Sequence, residues 1–110
     1  MPEDFFVPEV SVEELKAKLD AKQTFILLDV REPHEHERGR LPGSKLIPLG
    51  ELARRFGELR PSEEIIVICR SGNRSAKAVK FLKGKGFAKS FNLAGGILAW
   101  ARRIDPSIPT

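Results

Sequence analysis

Apolar residues fall along this chain in two patterns. Thr24 to Val30 and Ile65 to Ile68 are nearly continuous apolar runs, rich in β-branched residues in the second case. Such runs predict strands buried on both faces, as in parallel sheets. Elsewhere the apolar positions recur at helical spacing. Val12, Leu15 and Leu19 share one face, and Ser11-Val12-Glu13-Glu14 reads as a capping box, so a helix is predicted over 12–20. A second helix should follow Pro48-Leu49-Gly50 through Leu52 and Phe56 and stop at Gly57. A third is predicted over 75–85, with Val79 and Leu82 on its core face and Gly84 and Gly86 ending it. A last short helix is expected over 97–102, around Trp100. Glu32 to Arg38 reads as a helical turn, Gly39 to Gly43 as a loop, and Lys45 to Ile47 and Ser90 to Leu93 as short strands. The stretch from Ile104 to Thr110, with Pro106 and Pro109, is expected to lie irregularly on the surface.

Strands and helices therefore alternate, which predicts an α/β domain around a mostly parallel sheet. No repeat, low-complexity segment or linker interrupts the 110 residues, so one domain over 1–110 is expected, with its core at about 7–103. Ligands of such sheets bind beyond the carboxyl ends of the strands. The only cysteine, Cys69, falls at that kind of position.

Composition narrows the function. No apolar run is long enough to span a bilayer, and Met1 to Phe6 lacks the basic region and apolar core of a signal peptide. A single cysteine cannot form an internal disulfide, so a cytoplasmic protein with a free thiol is expected. The net charge of +4 is spread from Lys16 to Arg103 without a dense cluster or interleaved aromatics. This reads as a solvated basic surface rather than a nucleic-acid site, and it favours the approach of anions. His34 and His36, two apart in a polar turn, read as surface histidines rather than metal ligands. Gly95-Gly96 lacks a following G-K-[ST] and reads as a turn before the last helix. Trp100 reads as core or rim packing.

The sequence around the cysteine is Cys69-Arg70-Ser71-Gly72-Asn73-Arg74-Ser75. A lone cysteine ending an apolar strand is either a small core hydrophobe or a reactive thiol. The basic loop behind it points to the second. Gly72 permits positive φ, successive N–H groups can turn inward as an anion cradle, and a following helix adds its positive end. Arg70 and Arg74 supply charge and forked donors for a sulfur or phosphorus oxyanion. A thiol held this way should ionise below its ordinary value. The Ser71 hydroxyl either bonds the sulfur or only shapes the turn.

The chain here resembles the rhodanese family of sulfurtransferases. Asp29-Val30-Arg31-Glu32-Pro33-His34-Glu35 is similar to that family's D-V-R-E-x-x-E segment, and Gly39-Arg40-Leu41-Pro42-Gly43-Ser44 to its G-H-I-P-G-A segment, followed by Ile47-Pro48-Leu49. Cys69 to Ser75 is similar to C-x-S-G-x-R-S, and Gly86-Phe87 with Leu93-Ala94-Gly95-Gly96-Ile97 through Trp100 to the closing segment. The resemblance implies a three-layer domain, with a central parallel sheet of about five strands and helices on both faces. It implies that Cys69 carries sulfur as a persulfide, taken from thiosulfate or a related small anionic donor and passed to a thiol or protein-thiol acceptor, with no metal or organic cofactor. Arg70, Ser71, Gly72, Asn73, Arg74 and Ser75 would bind the donor, and Asp29 and Arg31 would be structural partners beside the loop. The C-x4-R spacing of Cys69 and Arg74 resembles sulfurtransferases, whereas related phosphatases and arsenate reductases have C-x5-R, a wider cradle for a tetrahedral oxyanion. Arg40 stands where the family usually has His, and Ser44 where it usually has Ala. Arg40 is either a neutral surface change or added positive charge at the pocket rim. The alternative from another class is a protein-binding or sulfur-relay module with the same fold and little turnover on thiosulfate.

Overall fold

The computed structural model describes residues 7–110. Residues 1–6, on which the expectation about a signal peptide rests, lie outside the described residues. In chain order the elements are β1 (Glu9–Val10), α1 (Val12–Asp20), β2 (Ile26–Asp29), α2 (Pro33–Arg38), β3 (Lys45–Leu46), α3 (Leu49–Arg55), β4 (Ile65–Ile68), α4 (Asn73–Gly84), β5 (Ser90–Leu93) and α5 (Gly96–Arg103). The strands form one sheet in the order β1-β5-β4-β2-β3, and every pairing is parallel. β4 is central, with Asp29 of β2 in register with Ile68 and Asn92 of β5 in register with Val67.

Alternation along β4 divides the core in two, because successive side chains of a strand point to opposite faces. Ile65, Val67 and Cys69 pack with Ala78, Val79 and Leu82 of α4 and with Leu52 of α3. Ile66 and Ile68 pack with Val12 and Leu15 of α1 and with Ile97 and Trp100 of α5. The sheet is thus covered on both faces, the arrangement that the continuous apolar runs require. Among the described residues no helix is long and apolar enough to cross a membrane.

The local signals hold at most positions. Ser11 accepts from the Glu14 N–H at 3.0 Å and Glu14 accepts from the Ser11 N–H at 2.7 Å, closing the capping box of α1. Four findings differ from expectation. β1 has no counterpart in the sequence reading; it is two residues long and is held by pairing with β5. Gly57 does not stop a helix; it lies inside a 3-10 turn, Phe56–Glu58, that continues α3. α4 begins at Asn73, two residues before the expected start, because Gly72 serves as its N-cap with φ +107°. The segment after α5 is irregular, as expected, but it folds back: Ile104 and Ile108 pack on the α1–α5 side of the core, and Pro109 lies against Gly39.

Candidate active site

Cys69 follows the last residue of β4, at the carboxyl end of the central strand, and is fully buried. The chain turns at once through Arg70, Ser71 and Gly72 into α4, so the amino end of that helix faces the sulfur. The Gly72 N–H donates to Sγ at 3.0 Å, and the Ser75 hydroxyl lies 3.2 Å from it. Burial pushes the thiol pKa up, but the Ser75 hydroxyl and the N–H groups of Ser75, Gly72 and Ser71 outweigh that effect and hold it below the ordinary thiol value. The side chain of Ser71 is exposed; the hydroxyl at the sulfur is that of Ser75.

The loop is fixed from behind by Gly96. A β-carbon there would fall 2.5 Å from the carbonyl oxygens of both Cys69 and Arg70. With no side chain in the way, the N–H groups of Ile97 and Leu98 donate to those carbonyls at 2.9 and 3.0 Å. Gly95-Gly96 is therefore the platform of the cysteine loop as well as the entry to α5.

The two loop arginines have different surroundings. Arg74 makes a forked pair with Glu35 of α2, at 2.7 and 2.9 Å. Arg70 is exposed and lines a cleft of about 200 Å³ together with His34, Glu35, Arg38, Ile97 and Pro109. The Arg74 fork, against some opposition from burial, holds the Glu35 carboxyl down at about 2. Arg74 is pushed above its ordinary value, first by Glu35 and to a lesser degree by the Cys69 sulfur.

Beside this loop, at the end of β2, the Asp29 carboxylate is buried under three partners. The Arg31 side chain donates to it at 2.8 and 2.9 Å, the Arg31 N–H at 3.1 Å, and His36 Nδ1 lies 2.9 Å from Oδ2. Burial raises the Asp29 pKa, but the Arg31 and His36 hydrogen bonds prevail and leave it lowered. Arg31 also donates to the Gly39 carbonyl at 2.7 Å, which ties the segment before α2 to the residue after it. His36 is thus half-buried and engaged with Asp29, contrary to its reading as a surface histidine; His34 is exposed at the cleft. No group of three His, Cys, Asp or Glu side chains that could hold a metal ion occurs among the described residues.

Of the residues singled out in the sequence, the fold brings Cys69, Ser71, Gly72 and Ser75 together around the sulfur, places Arg70 in the cleft and pairs Arg74 with Glu35. Asn73 is exposed at the start of α4. Sequence reasoning missed Glu35, Arg38 and Asn92 as neighbours of the site. Their separation along the chain leaves no local signal, although Glu35 lies inside the D-V-R-E-x-x-E segment.

Known proteins are similar to this chain in sequence and fold. The family described as Rhodanese-like domain matches residues 11–103. A sulfurtransferase of Allochromatium vinosum is 34% identical over 102 residues, which cover 93% of this chain and 95% of that protein. A candidate sulfur carrier protein of Bacillus subtilis, YrkF, is 40% identical over 99 residues, which cover 90% of this chain; the chain spans only 54% of that relative's length. The crystal structure of a rhodanese-related protein from Thermoplasma volcanium superposes with a TM-score of 0.79 at 34% identity, covering 94% of this chain and 96% of that one. Fold, loop and relatives agree, and the chain belongs to the rhodanese family.

Proposed function

We propose that this protein is a sulfurtransferase in which Cys69 carries sulfane sulfur as a persulfide. The observation that supports this most directly is the sulfur itself, set at 3.0 Å from the Gly72 N–H and 3.2 Å from the Ser75 hydroxyl at the amino end of α4. Donors aimed at a single sulfur favour its anion, which is both the nucleophile and the form that a persulfide adopts.

In the first half-reaction the Cys69 thiolate attacks the outer sulfur of thiosulfate. A sulfur–sulfur bond forms to Sγ, the bond within thiosulfate breaks, and its electron pair leaves with sulfite. In the second, an acceptor thiolate attacks the outer sulfur of the persulfide, and the electron pair of the broken bond returns to Sγ. The N–H groups around the sulfur stabilise both anions without moving. Burial of Cys69 beneath its own loop keeps water from the persulfide between the two steps.

Arg70 and Arg38 face the cleft, and among the described residues neither is tied up in an ion pair, so they attract and orient the anionic donor. Arg74 spends its fork on Glu35. It supplies positive field to the sulfur and fixes α4 against α2, and it contributes less direct donor contact than Arg70.

The test is intact mass after mixing reduced protein with thiosulfate. One added sulfur is expected on the protein and none on Cys69→Ser, with both variants folded. An unchanged mass with thiosulfate, but a one-sulfur gain from a protein persulfide, would point instead to a relay module that takes sulfur from a partner.

A further inference from the structure

Asn92 has no part in the chemistry above, yet it lies one hydrogen bond from the sulfur's own donor. It sits on β5, 2% exposed, and its amide makes two hydrogen bonds. Its Oδ1 accepts from the Ser75 hydroxyl at 2.5 Å, and its Nδ2 donates to the Gly72 carbonyl at 3.1 Å. That carbonyl also accepts the Ala76 N–H at 3.2 Å, so it has a partner without Asn92.

The Ser75 oxygen therefore stands between two acceptors, Asn92 Oδ1 at 2.5 Å and Cys69 Sγ at 3.2 Å. A hydroxyl owns one hydrogen and can serve one of them at a time. A neutral thiol can itself donate to Ser75 Oγ, which leaves the hydroxyl hydrogen on Asn92. An anionic sulfur has nothing to donate and is the stronger acceptor, so it draws that hydrogen across.

We infer that Asn92 is a positioning residue of the sulfur site, which holds the Ser75 hydroxyl hydrogen while Cys69 is a neutral thiol and yields it to Sγ when the sulfur becomes an anion. The inference rests on the reading of Cys69 as the sulfur carrier. Asn92 acts only through Ser75. Arg74 from α4, whose charge acts on the sulfur, and its partner Glu35 from α2 bond neither Asn92 nor Ser75.

Removing Asn92 leaves no orphan: Gly72 keeps the Ala76 N–H, and Ser75 turns to the sulfur. The thiolate keeps its Ser75 donor, and the neutral thiol loses the competing acceptor that favoured it. The chain has one cysteine and no tyrosine, so far-ultraviolet absorbance of the thiolate against pH reports Cys69 alone. Asn92→Ala should lower the Cys69 midpoint by roughly half to one unit, the scale of one hydrogen bond. Asn92→Val, closer in volume, carries the same expectation if the alanine variant does not fold. Asn92→Asp, which keeps the acceptor and adds negative charge, should raise the midpoint. In a Ser75→Ala background the downward shift should vanish. No shift, shifts of one sign in the alanine and aspartate variants, or an equal downward shift without Ser75 would overturn the inference. Sulfur loading measured on the same samples separates the two ideas. An unloaded parent protein strikes the proposed function, whereas normal loading with an uncoupled titration strikes only the role of Asn92.

Discussion

The ends of β2 and β4 lie side by side in register, and each carries a buried polar centre. They use opposite strategies. At β2 the Asp29 carboxylate is surrounded by the Arg31 guanidinium and His36 and has its counter-charge in contact. At β4 the sulfur of Cys69 meets N–H and hydroxyl donors, and Arg74, whose charge acts on it, is committed to Glu35. The first centre is closed, and a closed ion pair holds a turn in shape. The second gathers neutral donors around one sulfur, the arrangement that the proposed creation and transfer of negative charge there would use.

This contrast can be broken at its first member with the largest effect expected. Asp29→Asn leaves the Arg31 guanidinium, 4% exposed, buried beside a neutral amide. A stability loss of about 3–5 kcal/mol is expected from urea denaturation. Sulfur loading of the folded fraction should persist, because no atom of Asp29 bonds the sulfur.

The Glu35–Arg74 pair joins α2 to α4, and so bridges the two strand ends. Its sign with pH is fixed by the low folded-state pKa of Glu35, about 2 against an ordinary 4.5. The pair's stabilisation is full above the ordinary value and is lost as pH falls from there through the folded value. Asp29, also lowered, adds to the same acid limb. The urea midpoint of the parent protein should therefore fall between pH 4.5 and 2 more steeply than that of Glu35→Gln, which lacks the titrating carboxyl. Equal slopes would mean that the bridge contributes nothing in solution.

The smallest effect belongs to a site remote from both centres. Ser11→Ala opens the capping box of α1 and should cost about 1 kcal/mol in the same denaturation assay. It should leave the Cys69 titration and sulfur loading unchanged. A change in either would show that general destabilisation, rather than local chemistry, reaches the loop.

Much of this architecture was legible in the residues. The two apolar runs gave β2 and β4 because strands buried on both faces need no polar alternation. Ser11 and Glu14 marked the start of α1 through a contact three residues long. What escaped the reading was set by distant parts of the chain. β1 is two residues with no periodicity of their own, fixed by β5 some eighty positions later. The early start of α4 is a local exception: positive φ at Gly72 was expected, but not its use as the N-cap two residues ahead of the expected helix start. In the site, Cys69 and its loop could be found because they are contiguous. The pairing of Arg74 with Glu35, 39 residues away, and of Ser75 with Asn92, 17 away, could not. The burial of His36 was hidden for the same reason, since a short polar turn gives no sign of the carboxylate it folds over.

Gly96 has a last consequence. The backs of the Cys69 and Arg70 peptides are already clamped by the first turn of α5. In the proposed reaction an incoming anion would therefore meet dipoles that are oriented before it arrives, with little reorganisation energy left to supply. The rigidity of this mould comes from a residue that touches neither sulfur nor donor and contributes only the absence of a methyl group.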